Sequence, residues 1–252
     1  MSRTPTLLFV HGAWHSSDCW SNVILALQTR GFHCLAPQLQ FCGTSKPVES
    51  LASSINQIRR LIFRETKKGS NIVLINHSFG GSVGCSAVKG FTPKDPSELE
   101  HNAGRVIGII QLCAFMPPSN VSLYDMIDPR KAFHHPDPDG WEVVYSADPS
   151  DIFYNDLPKE MADHWKSRLL KQSAASFIDH VNVYAGWMDV PISYIFTTQD
   201  RAIPIENQKA MVDAAKKAGA LITSESLEAG HSPFLSRVEE TVDLIVDAVT
   251  EF

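Results

Sequence analysis

The sequence predicts an α/β protein: a doubly wound, mostly parallel sheet carrying a helical insertion. Three observations support this. Short apolar, β-favouring runs recur along the chain, as strands buried on both faces require. Amphipathic helical stripes alternate with them, as right-handed crossovers between parallel strands demand. Residues 71–81, Asn-Ile-Val-Leu-Ile-Asn-His-Ser-Phe-Gly-Gly, join a strand to a small-residue helix through a tight turn with a serine at its tip.

In chain order, residues 6–10 form a buried strand that runs into the loop His11-Gly12-Ala13-Trp14-His15. Ser16 or Ser17 caps the next helix, Trp20, Val23, Ile24 and Leu27 give it an apolar face, and Gly31 ends it. Residues 32–36 are the second strand, stopped by Pro37. Leu51, Ile55, Ile58 and Ile62 stripe a helix that Gly69 terminates. The serine-bearing strand and turn follow, then a strand at 105–113.

The alternation breaks between 115 and 189, where no clear strand is legible. Prolines punctuate that stretch (Pro117, Pro118, Pro129, Pro136, Pro138, Pro149, Pro158), aromatics are spread through it, and 161–170 is its best helical piece. A long insertion between sheet elements is usually functional, so 115–189 reads as a helical lid, with 1–114 and 190–252 as the core. The sheet resumes at 192–197. A helix near Pro204 turns Met211, Ala214, Ala215 and Ala218 inward, and 221–226 is the last strand. Ser236 and Glu239 form a capping box for a final helix striped by Val238, Val242, Ile245 and Val249.

A chain of 252 residues can bury the core of one large domain. Its formal charge of −6, without a basic run, argues against nucleic-acid binding. No apolar segment reaches the roughly 20 residues that cross a bilayer. The start, Met1-Ser2-Arg3-Thr4-Pro5, lacks the pattern of a signal peptide, so the expected compartment is the cytoplasm. Cys19, Cys34, Cys42, Cys85 and Cys113 are scattered, with no CxxC pair, and read as reduced thiols. His134, His135 and His164 lack ligand spacing with carboxylates or cysteines, so no metal is expected.

Ser78, Asp200 and His231 each follow the carboxyl end of a strand, the edge where open parallel sheets place their active sites. A serine hydroxyl becomes a useful nucleophile only when a base takes its proton; His231 can do so, and Asp200 can fix the imidazole's tautomer. The amides of Phe79 and Ala13 are the candidate oxyanion donors. Asp189, the other nearby carboxylate, precedes its strand and sits at the wrong end.

With these residues in place, the chain resembles the α/β-hydrolase superfamily, and within it the plant methylesterase and hydroxynitrile lyase group. The matching stretches are Leu8-Phe9-Val10-His11-Gly12-Ala13-Trp14, Asn76-His77-Ser78-Phe79-Gly80-Gly81, Ala114-Phe115-Met116-Pro117, Thr197-Thr198-Gln199-Asp200-Arg201-Ala202-Ile203-Pro204 and Gly230-His231. The resemblance implies a Ser–His–Asp hydrolase that needs no cofactor. Two departures stand out. Asn76 occupies the position where the family motif has its first glycine, so a side chain must be housed beside the turn. Gly12 and Ser232 stand where the lyase branch has threonine and lysine, which points to the esterase branch.

The expected reaction is therefore hydrolysis of a carboxylic ester or lactone of an apolar, aromatic or polyketide-like acid. A lyase, cyclase or decarboxylase using His231 as acid–base is the alternative, and a ligand-binding receptor with a weak triad is a third. Candidate substrate contacts are Trp14, His15, Trp141, Met161, Trp165 and Trp187; His11 braces its turn, and His77 packs behind the nucleophile. The expected partner is a small-molecule substrate, with no membrane insertion and a homodimer left open.

Overall fold

In the computed structural model, residues 4–128, 130, 132–145 and 148–252 are described; residues 1–3 and Pro129 of the readings above lie outside them. Strand β1 (Thr6–Val10) leads through a 3₁₀ turn at Ser17–Trp20 into helix α1 (Ser21–Thr29) and β2 (His33–Leu35). Then come α2 (Ala52–Lys67), β3 (Ile72–His77), α3 (Gly80–Ala87) and β4 (Val106–Leu112). The insertion holds α4 (Leu123–Met126), β5 (His134–Pro136), β6 (Trp141–Val144), α5 (Pro149–Phe153), α6 (Lys159–Ser167), β7 (Gln172–Ser173) and α7 (Ala175–Ile178). Beyond it run β8 (Ile192–Thr197), α8 (Ile205–Lys217), β9 (Ile222–Leu227), α9 (Pro233–Ser236) and α10 (Val238–Thr250).

The central sheet has the order β2-β1-β3-β4-β8-β9, and every pairing in it is parallel. The chain begins at β1, winds outward to β2, then returns to the other side of β1 as β3. That reversal opens a crevice beyond the carboxyl ends of β1 and β3, because the loops leaving the two strands depart to opposite faces. The loop carrying Ala13 and the turn carrying Ser78 border it. β1 and β3 are buried along their whole length, which is why both read as unbroken apolar runs. β9, an edge strand, is largely exposed.

Three expectations need correction. The insertion is not wholly helical: β5, β6 and β7 form a small antiparallel sheet. These strands are two to four residues long, too short for an alternating pattern to register, and β5 and β7 carry only His, Pro, Gln and Ser. The signal that betrays the β5–β6 hairpin is the turn Pro138-Asp139-Gly140, where Gly140 takes φ of 85° and Trp141 N–H donates to Asp137 Oδ1 at 2.8 Å.

The core face of α8 is Gln208, Val212 and Ala215, whereas Ala214 and Ala218 are exposed; alanine is small enough to sit on either face, so it set the stripe wrongly. Ser236 is the last residue of α9, and its hydroxyl donates to Asp156 Oδ2 at 2.6 Å instead of capping α10. Ser16 does occupy the N-cap of the 3₁₀ turn, without a side-chain cap bond.

Among the described residues no helix is long and apolar enough to cross a membrane, and all five cysteines are unbridged.

Candidate active site

The turn between β3 and α3 is sharp. Ser78 adopts φ of 51°, a left-handed conformation that costs a non-glycine residue roughly 1–3 kcal/mol. Gly80 lets the turn close: a β-carbon there would lie 2.7 Å from the His11 carbonyl oxygen. Trp14 after β1 (φ 58°) and Cys113 after β4 (φ 38°) share this conformation, so three neighbouring strands end in strained turns along one edge.

At that edge the structure brings Ser78, His231 and Asp200 into one hydrogen-bonded chain. His231 Nε2 lies 3.0 Å from Ser78 Oγ, and its Nδ1 lies 2.8 Å from Asp200 Oδ2. Asp200 is itself fixed. Its Oδ1 accepts from the amides of Ala202 and Ile203, both at 2.8 Å, and its Oδ2 accepts from Thr197 Oγ1 at 2.9 Å. A carboxylate so engaged holds a proton on His231 Nδ1, leaving Nε2 as the acceptor for the serine hydroxyl. Asp189 is elsewhere, accepting from the Tyr184 hydroxyl.

The loop carrying His231 is clamped from two sides. His77, fully buried, donates from Nε2 to the His231 carbonyl at 2.8 Å. Asp156, from the insertion, accepts from Gly230 N–H at 2.7 Å, and its neighbour Asn155 donates to the Gln199 carbonyl at 3.1 Å. The insertion thus braces both loops that present the imidazole and the carboxylate.

Burial holds three histidines neutral around this chain. His11 is depressed to about 4, His15 to about 3, and His77 well below its ordinary value, in each case chiefly by desolvation. His11 accepts from Leu39 N–H at 3.0 Å and braces the loop after β1.

His77, Cys113 and His231 also place three donor atoms within 4.8 Å of one another. They make a poor metal site. His231 Nδ1 is committed to Asp200 and His77 Nε2 to a carbonyl, while burial, with Asp200 nearby, pushes the Cys113 thiol far up and keeps it protonated.

Ser78 and His231 open onto a cavity of about 520 Å³. Ala13, Trp14 and Phe79 line it, together with Leu123, Met126, Ile127, Phe133, His134, Phe153 and Phe177 of the insertion and Met211 of α8. The other expected contacts lie away from it. His15 is buried behind the wall, donating to the Ala13 carbonyl at 2.7 Å and accepting from Tyr154 at 3.0 Å. Trp187 is buried against the Pro117 carbonyl, and Trp141 sits on β6 under the Lys171 ammonium. Trp165 lines a separate surface cleft with His164 and Arg168, and Met161 is exposed on α6. Sequence reasoning missed Phe133, His134, Phe153 and Phe177, because nothing in an irregular insertion tells which aromatic turns inward.

A family model described as "Alpha/beta hydrolase family" matches residues 7–244. The chain is similar to "Alpha/beta hydrolase nvfD" of Aspergillus novofumigatus, 27% identical and covering 98% of this chain and 97% of that one. It is similar to "Methylesterase 1" of Arabidopsis thaliana, 23% identical and covering 99% and 98%. Among solved structures, a pyrethroid hydrolase from Sphingobium faniae superposes with a TM-score of 0.78 at 21% identity, covering 98% and 97%.

Proposed function

This chain belongs to the alpha/beta hydrolase family, and on that premise we propose that it hydrolyses a carboxylic ester or lactone through an acyl-enzyme on Ser78. The single observation behind this reading is the Ser78–His231–Asp200 hydrogen-bonded chain opening onto a mostly apolar cavity. The names of its relatives, a methylesterase and a pyrethroid hydrolase among them, favour ester substrates over cyanohydrins.

In the proposed cycle Ser78 Oγ attacks the carbonyl carbon as its proton passes to His231 Nε2. Asp200 stabilises the imidazolium and keeps its Nδ1 proton in place. The tetrahedral oxyanion is held by the amides of Ala13 and Phe79, the latter at the start of α3 where the helix dipole is favourable. His231 then protonates the leaving alkoxide. Water, deprotonated by the same imidazole, releases the acid and regenerates Ser78. Residues 115–189 act as the lid, covering an acyl group that is apolar and aromatic or polyketide-like. No cofactor enters any step.

Ser78→Ala should lower turnover of p-nitrophenyl esters by at least about a thousandfold and abolish labelling by a fluorophosphonate. A variant that still hydrolyses and still labels would overturn the assignment.

A further inference from the structure

The cavity has a second imidazole in its wall, His134, for which the hydrolytic cycle has no task. Its setting is built rather than incidental. His134 lies on β5, and Glu142 on the adjacent, antiparallel β6 is buried beside it. Glu142 Oε1 accepts from His134 Nδ1 at 2.6 Å and from the Tyr124 hydroxyl at 2.5 Å. Burial, reinforced by the Glu142 bond, pushes Tyr124 far above the ordinary phenol range, so it remains a donor. The Glu142 main-chain carbonyl accepts from the Trp14 indole N–H at 3.0 Å, tying this array to the loop after β1.

Four aromatic rings enclose the imidazole: Phe133 at 4.9 Å, Phe177 at 5.2 Å, Trp14 at 5.4 Å and Tyr124 at 6.0 Å between centroids. The ring is therefore held by edge-on and tilted aromatic neighbours and at one nitrogen. With Nδ1 engaged by Glu142, Nε2 is the nitrogen left to the cavity. A buried carboxylate and imidazole carry a desolvation cost that an apolar pair of the same volume would avoid. Their presence in a mostly apolar wall is accounted for if Nε2 meets a ligand.

We propose that His134 Nε2 is the point that reads a hydroxyl group on the acyl part of the substrate, away from the scissile carbonyl; this rests on the ester-hydrolase reading above. A hydroxyl both donates and accepts, so it pairs with Nε2 whether or not that atom carries a proton, whereas an ether oxygen only accepts. Phe133, Phe177, Leu123, Met126 and Ile127 suit the carbon frame around it. Phe177 packs between Phe79, next to the nucleophile, at 4.5 Å and His134 at 5.2 Å, so one wall joins the two ends of the site. The substrate class is a hydroxylated aromatic or polycyclic ester. Glu142 and Tyr124 are positioning residues: they aim the imidazole and touch no substrate.

The test uses the whole protein and matched p-nitrophenyl esters of benzoic and naphthoic acids, each unsubstituted, hydroxylated or methoxylated at successive ring positions. In the unmodified chain, one hydroxylated position should exceed both its methoxylated and its unsubstituted counterparts in kcat/KM by roughly tenfold, a discrimination typical of one buried hydrogen bond. H134F keeps a ring within the aromatic cage and should bring that ratio close to one. E142Q should narrow it, and serves if H134F does not fold. The same preference is read without turnover by quenching of Trp fluorescence with the free hydroxy and methoxy acids, Trp14 lying beside His134.

Absence of any hydroxyl preference in either assay, or its full retention in both variants, overturns the proposal. Failure of fluorophosphonate labelling at Ser78, with the binding preference intact, instead sinks the hydrolase reading and leaves His134 as the recognition point.

Discussion

The Asn76 side chain fills the space that a β-carbon on Gly84 would need. Asn76 is the penultimate residue of β3, just before the serine turn, and Gly84 lies one helical turn inside α3. The family motif has a glycine at the first of these positions; here the helix supplies the room. Among the described residues neither Asn76 Oδ1 nor Asn76 Nδ2 finds a hydrogen-bond partner, although the residue is fully buried. Gly84→Ala should therefore destabilise the fold by roughly 1–3 kcal/mol, the range for overpacking a tight core. Asn76→Gly should offset much of that loss, with a coupling energy of about 0.5–3 kcal/mol in a double-mutant cycle read by urea unfolding. Strict additivity would mean that the two positions do not share the space.

Asp156 reaches from the insertion to the Gly230 amide and the Ser236 hydroxyl. Asp156→Ala should lower kcat by roughly ten- to a hundredfold, the scale on which a misplaced catalytic group acts, with KM little changed. Fluorophosphonate labelling should slow in parallel, because the loop carrying His231 loses a clamp. A change confined to KM would assign Asp156 to substrate contact instead.

The neutral histidines set an acid limit on stability. In the unfolded chain they protonate as pH falls below about 6.5, while in the fold His11 resists to about 4, His15 to about 3 and His77 further than its ordinary value. The unfolded state thus binds more protons throughout that window. Stability falls with falling pH, by up to about 1.4 kcal/mol per ring for each unit. Thermal unfolding should show a midpoint several degrees lower at pH 5 than at pH 7, and the His15→Gln variant should have a shallower pH slope. A flat midpoint across that range contradicts the burial argument.

Gly12 is pressed against the site: an added β-carbon would stand 2.8 Å from His77 Nδ1 and 2.9 Å from Ser78 Cβ. Gly12→Thr, the residue of the lyase branch, should cut ester hydrolysis by at least about tenfold through displacement of Ser78, the proposed nucleophile. It should confer no cyanohydrin cleavage, since Ser232, where that branch has lysine, is buried. Liberation of cyanide from mandelonitrile by this variant would reopen the lyase reading.

By itself the sequence determined the framework and the three polar residues at its edge. Buried parallel strands must be apolar throughout, helices must be striped, and residues just past strand ends must gather at one rim, so Ser78, Asp200 and His231 could be read from local pattern and order. Trp14 followed in the same way, since its loop leaves a strand of fixed position.

Tertiary structure alone decided the cavity wall. The insertion is made of pieces two to nine residues long, which carry too few turns or alternations to establish an inward face. Hence Phe133, Phe153 and Phe177 reach the cavity while Trp141, Trp165, Trp187 and Met161 do not. His134, set aside in the sequence for lacking a ligand pattern, acquires its partner Glu142 only when a short hairpin folds the two residues together. Which way a side chain points in an irregular segment depends on what packs over it, and that is a property of the whole chain.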